Sequence, residues 1–248
     1  MGISIRRIQV LSDRVGKSTA IGHSDEVGTN LRPLFHGTAT ADITPNIQAL
    51  IATPAQVKVA STSAADVLTS GTGAWVVQVT GLDENLDPLV ENVNLNGQTA
   101  VTTTGTFYIV TKLQVIAAGS GGENAGTIWC GTGVFTGGVP ATHLLDIETG
   151  TNVSAFCVIA VPTGKSFVVD QLSIFSGDTT KDLNFQFYQY SPVTGLWYEV
   201  FDVHGKQGSI ILPVSAYPVL GAGSVVMLRC AVNTGTAKVT GSIAGYLK

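Results

Sequence analysis

At 248 residues the chain is long enough for one large β domain or two smaller ones, and it can bury roughly 70 to 75% of the surface its unfolded form exposes. Charged residues make up 12% of it against a usual level of about 25%, and the net charge is −4. So few Lys and Arg argue against a nucleic-acid partner. The longest apolar run, "AFCVIAV", is far short of the ~18 residues of a spanning helix, so no membrane partner is expected either.

Residues 1 to 50 show neither sustained alternation nor a helical period and read as an extended N-terminal arm. Its first 36 residues hold Arg6, Arg7, Arg14, Lys17 and Arg32 against Asp13, Asp25 and Glu26, so five positive charges less three negative leave +2. These five basic residues are the candidate partner contacts of the arm. "VGKST" at 15 to 19 lacks the first glycine of a phosphate loop, because position 11 is Leu11, and no buried strand precedes it. "MGISIRRIQVL" is too short in apolar character for a signal peptide, and Arg6 stands where myristoylation expects Ser or Thr.

From about residue 51 the period changes to two, the mark of strands with one buried face. Trp75, Val77 and Val79 share a face in "AWVVQVT". In "LVENVNLNG", Leu89, Val93 and Leu95 share one, with Glu91 as its exception. Between these runs lies "GLDENLDPL". Asp83, Asn85 and Asp87 match the first ligands of a calcium loop, yet Pro88 replaces the required glycine and Asn94 the bidentate glutamate, so the stretch reads as a turn. "TFYIVTKLQVIAAG" and "AGTIWCG" form a further pair across "GSGGEN", closing a first β domain near residue 133.

Residues 134–150 break the alternation and read as a linker. Residues 151–248 carry six or seven more strand signals separated by turn residues, the spacing of an antiparallel sandwich or jelly roll. In "KDLNFQFYQY" the residues Leu183, Phe185 and Phe187 should point inward, Asn184 and Gln186 outward. The fold class expected is therefore mostly β: antiparallel β-sandwich or jelly-roll domains preceded by an extended arm.

The residues that could carry chemistry are scattered. Cys130, Cys157 and Cys230 lack any CxxC pair and sit in apolar runs, as buried thiols in a reducing compartment would. His23, His36, His143 and His204 lie far apart, and no GxSxG elbow occurs. Asn152, Val153 and Ser154 form a glycosylation sequon that is idle without secretion. The expectation is no enzyme, no metal site and no cofactor. Tyr188, Tyr190, Trp197 and Tyr198 are the candidate aromatics for a partner or glycan contact.

The run from Ser61 to Val110, with its "GTGA" start, "GLD", a polar turn, a strand ending in "LNG" and a "VTTT" approach to the next, resembles virion structural proteins of tailed phages, particularly those of aquatic bacteria and cyanobacteria. The resemblance spans about residues 56 to 130. "VPTGKSFVVDQLSIFSG" and the closing "AGYL" are similar, less specifically, to the C-terminal β domain that often accompanies it. It implies a bacteriophage virion component, assembled in the host cytoplasm. The physical reading adds a capsid decoration or cement protein: a homo-oligomer, expected to be a trimer, whose arm contacts the major capsid protein, another virion protein or a neighbouring subunit. The alternatives are a tail, neck or baseplate component, a receptor- or glycan-binding module built on the four aromatics, and a depolymerase, for which no carboxylate pair stands out.

Overall fold

The computed structural model describes residues 17–27, 32–33, 47–154, 157–176, 182–206, 208–213, 219–232 and 237–248. At 17–27, 32–33, 47–49, 176, 182–183, 201–206, 208–213, 230–232 and 237–239 the backbone alone is described. The expected mostly-β, antiparallel architecture is what forms, and every strand pairing among the described residues is antiparallel.

A six-stranded sheet takes β3 (Ala55–Ser61), β4 (Ala74–Asp83), β5 (Pro88–Asn94), β6 (Val101–Ala118), β7 (Ile128–Thr136) and β8 (Val139–Ile147) in the order β5-β4-β6-β3-β7-β8. Strand β6 serves both halves: its C-terminal part pairs with β4 and its N-terminal part with β3. The partners change at Phe107, and a bulge in the β3 pairing falls just before it, at Thr103–Gly105. There the Thr103 hydroxyl accepts the Val57 amide at 3.0 Å, while the two Glu91 carboxylate oxygens accept the amides of Thr104 at 2.6 Å and Gly105 at 2.9 Å. Glu91 breaks the apolar face of its strand because a bulged strand has amides that its own neighbours do not pair, and the carboxylate supplies their acceptors.

Residues 134–150, expected as a linker, instead form the end of β7, a tight turn and β8. Register shifts between Cys130 and Gly131 and between Thr132 and Phe135 disturb the alternation, which is why the stretch does not read as strand.

The second half builds two more sheets from β9 (Val158–Ala160), β10 (Phe167–Ser176), β11 (Asp182–Ser191), β12 (Leu196–Lys206), β13 (Gly208–Pro213), β14 (Val225–Val232) and β15 (Ala237–Leu247). The expected arm supplies strands to both. Strand β1 (Lys17–Val27) lies along β15 in a four-stranded sheet ordered β1-β15-β10-β13. Strand β2 (Arg32–Pro33) lies on β14 in a five-stranded sheet ordered β12-β11-β14-β2, with β9 also on β14. A short helix, α1 (Ile47–Ala52), closes the region with Leu50 and Ile51 in the core. Much of residues 17–52 is thus part of the body. Its strand signal is weak because β1 mixes small and polar residues at a sheet edge, and α1 is only six residues long.

Strand β14 explains how the halves join. Val225 and Met227 enter the core of the six-stranded sheet, while Val226 and Leu228 enter a second core with Phe167, Phe185 and Phe187. A strand covered on both faces reads as a continuous apolar run, as "VVML" does. Each fully buried Val, Leu or Phe contributes about 1.5 to 3 kcal/mol. The double covering also corrects one expectation: Phe185 and Phe187 point into the second core as anticipated, but Gln186 is 6% exposed rather than solvated.

Candidate interaction site

The aromatic candidates lie on the β11–β12 hairpin, whose turn closes through Gly195. That residue has φ +69° and donates its amide to the Ser191 carbonyl at 2.9 Å, a conformation that costs glycine nothing. The register sets Tyr190 opposite Trp197 and Tyr188 opposite Glu199. The rings of Tyr190 and Trp197 sit with centroids 5.5 Å apart, tilted by 50°.

Tyr188, Tyr190 and Trp197 share the face that packs on the first core, so three of the four expected contact aromatics are spent inside the chain, joining its two halves. Around Tyr188 a polar network closes. The Arg229 guanidinium lies 4.6 Å from its ring centroid, and Gln186 donates to Glu199 at 2.9 Å. The Tyr188 hydroxyl donates to the same carboxylate oxygen at 3.3 Å. Burial pushes the Tyr188 phenol up; Arg229 opposes this and Glu199 adds to it. Sequence reasoning missed the pairing partners Gln186, Glu199 and Arg229, because only the register brings the three strands' residues together.

Tyr198 faces the other way. It is 42% exposed, its hydroxyl donates to Thr194 Oγ1 at 2.9 Å, and it sits beside the exposed Leu196 and the almost fully exposed Val193 (92%) at the hairpin tip. A second tip, on the β7–β8 hairpin, presents Val134 at 75% exposure. Chemically these tips offer apolar contact and one hydroxyl, suited to recognition and not to proton transfer.

Of the basic candidates, Lys17 lies in β1 opposite Tyr246, and Arg32 lies in β2 opposite Cys230; the structure does not bring them to the aromatic hairpin tip's strands as a single patch. Arg6, Arg7 and Arg14 lie outside the described residues.

The other motifs are structural. The Asp83 carboxylate accepts the amides of Asn85 at 2.8 Å and Asp87 at 2.9 Å, so it fastens its own turn. Asn152 and Asn124 hold each other reciprocally, side chain to amide, at 3.0 Å each way, and Ser154 Oγ accepts the Leu113 amide at 2.8 Å. The sequon is thus occupied in tying the chain after β8 to β6. Cys130 is buried, which pushes its thiol well up, and Cys157 is buried too. Among the described residues no group of three or more His, Cys, Asp or Glu is placed to hold a metal ion, and no helix is long and apolar enough to cross a membrane.

No family model matches the chain, and no curated protein does. Among solved structures it is similar to "Structure of infectious bursal disease virus Gx strain" at a TM-score of 0.22 and 12% identity, covering 93% of this chain and 71% of that one. It is also similar to "Structure of infectious bursal disease virus Gt strain" at 0.19 and 10%, with the same coverage. Superpositions this loose carry no argument about fold or role.

Proposed function

We propose that the chain is a non-catalytic structural subunit of a bacteriophage virion, and within that class a capsid decoration or cement protein acting as a homotrimer. The observation that carries this reading is the apolar surface held out on separate hairpin tips, Val193 at 92% and Val134 at 75% exposure, on a body with few charges to keep neighbours apart. The motif resemblance over residues 56 to 130 supports the same class. Since β1 and β2 pair with the chain's own C-terminal strands, the part of the arm assigned to reach the shell or a neighbour is residues 1–16.

A tail, neck or baseplate subunit would use the same surfaces in another place. Cryo-electron microscopy of the intact particle separates the two. Hundreds of symmetric copies on the head are expected for decoration. Copies confined to rings at the tail would overturn that reading in favour of a connector, and absence from the particle would overturn both.

A further inference from the structure

The six-stranded sheet has two edges, and they differ. Strand β8 pairs with β7 through two register shifts, whereas β5 pairs with β4 from Val76–Asn94 to Leu82–Pro88 without one. Irregularity is how natural sheets blunt an edge against further pairing, along with lysines, prolines and inward charges. On β5 the proline is only the first residue, and the one charge, Glu91, is engaged with the β6 amides. The outward positions are Val90, 54% exposed, Asn92 and Asn94, all neutral. Among the described residues nothing pairs with the outer side of this strand.

Charge indicates what fits there. The β4–β5 hairpin, residues 74–94, contains Asp83, Glu84, Asp87 and Glu91 and no Lys or Arg, so its formal charge is −4. Residues 1–16 contain Arg6, Arg7 and Arg14 against Asp13, so three less one leaves +2, and they include the β-prone run "ISIRRIQVL". Length permits the reach. Seven residues paired along β5 leave nine, which extend to roughly 30 Å, about the width of a small domain.

We propose that the free edge of β5 (Pro88–Asn94) is the dock for residues 1–16 of a second copy of this chain, which add to it as a further strand. The inference rests on the oligomeric reading above. Backbone hydrogen bonds along the edge supply the affinity, and the acidic turn at 83–87 beside the arm's arginines fixes the direction and register. Arm on edge is a heterologous contact, the kind that closes a ring of subunits when the rotation is right.

The test uses the full chain in two separately tagged populations, one carrying Val90→Cys and the other Ile8→Cys, mixed, dissociated and reassembled before oxidation. Disulfides joining the two tags are expected, and adding Asn92→Lys or Asn94→Lys to the Val90→Cys subunits should abolish them while the circular dichroism and Tm stay unchanged. Two edge variants are used so that a folding defect in one leaves the other to decide. A cross-link formed only within one chain, in a Val90→Cys, Ile8→Cys double variant, would overturn the inference, as would the absence of any link or links that survive both edge lysines. Particle occupancy is read in parallel: if a chain lacking residues 1–16 still decorates the particle and still oligomerises, the arm dock is wrong while the decoration reading stands.

Discussion

The Tyr108 hydroxyl donates a hydrogen bond of 3.0 Å to the Gly223 carbonyl, across 115 positions of sequence and across the junction between the two halves of the chain. Burial, and then the neighbouring Tyr190, hold the Tyr108 phenol far above its ordinary range, so it is a neutral donor at every accessible pH. Tyr108→Phe leaves the Gly223 carbonyl unpaired and should cost about 1 kcal/mol in denaturant unfolding, with no change between pH 5 and about 9. A cost that varied across that range would show that the phenol ionises and the assignment is wrong.

Leu86 makes another link at this junction, and it does so in a conformation leucine rarely adopts, with φ +65°. Its carbonyl accepts the Thr163 amide at 2.8 Å, and its side chain packs against the first core. A left-handed residue with a Cβ carries strain of about 1 kcal/mol that glycine escapes. Leu86→Ala loses the packing and keeps the strain; Leu86→Gly loses the packing and relieves it. The glycine variant should therefore be the more stable of the two by about 1 kcal/mol in equilibrium unfolding, the reverse of the usual Ala-over-Gly order.

Asp66 is buried with four donors on its carboxylate: the Ser61 hydroxyl and the amides of Ala74, Ala125 and Gly126 at 2.6, 2.8 and 2.9 Å. It gathers three separate stretches of the chain, and the Gly73 backbone passes so close that an added Cβ would collide with its Oδ1. Asp66→Asn turns one acceptor corner into a donor facing donors and should destabilise by about 2 to 4 kcal/mol. Gly73→Ala should cost a comparable amount by displacing the same carboxylate. Both are read by chemical denaturation, and a loss under 1 kcal/mol for either would remove Asp66 from this role.

How legible this was differs by region. Alternation was readable where one face is buried, as at Val77 and Val79, whereas Trp75 is only half-buried because register shifts between Ala74 and Val77 displace it from that face. The "GTGA", "GLD", "LNG" and "VTTT" motifs were visible as patterns, but their physical roles were not. Gly73 makes room for Asp66, Asp83 caps its turn, the Gly97 amide bonds the Asp66 carbonyl, and Thr103 fastens the bend in β6. Each role depends on a partner far away in sequence. The same holds for Tyr188, Tyr190 and Trp197: exposed-looking aromatics in the sequence became packing at a junction that only β14, buried on two faces, creates.

Asp146 is buried on the β7–β8 pair opposite Trp129, whose ring stacks edge-on against His143 at 4.8 Å. Burial, then Glu148, raises the Asp146 carboxyl well above its ordinary value, and burial lowers the His143 imidazole. The sign follows from linkage. With its folded pKa raised, Asp146 retains a proton in the native state that the unfolded chain releases from about pH 4 upward, so native stability falls as pH rises from there to the folded pKa. Asp146→Asn keeps the shape without the ionisation. It should match the parent near pH 4 and exceed it by a margin that widens as pH rises through that window, as read by Tm against pH. Parallel curves for the two proteins would show that the carboxyl does not carry this dependence.

Val193 and Val134 give the most direct separation of stability from assembly. A side chain exposed at 92% or 75% contributes little to the chain's own core, so Val193→Ser and Val134→Ser should leave unfolding within about 0.5 kcal/mol of the parent. At an assembly interface the same two residues would lose desolvated contact, and each change should weaken particle binding by about 1 kcal/mol or more, near a fivefold rise in the concentration needed for half occupancy. The informative variant is the double one. Because the two tips lie on different sheets, their effects on unfolding should be independent and near zero, while their effects on occupancy should add if both face the shell. Full occupancy by a double variant that is as stable as the parent would show that the apolar tips are ordinary surface and would withdraw the main support for a decoration role.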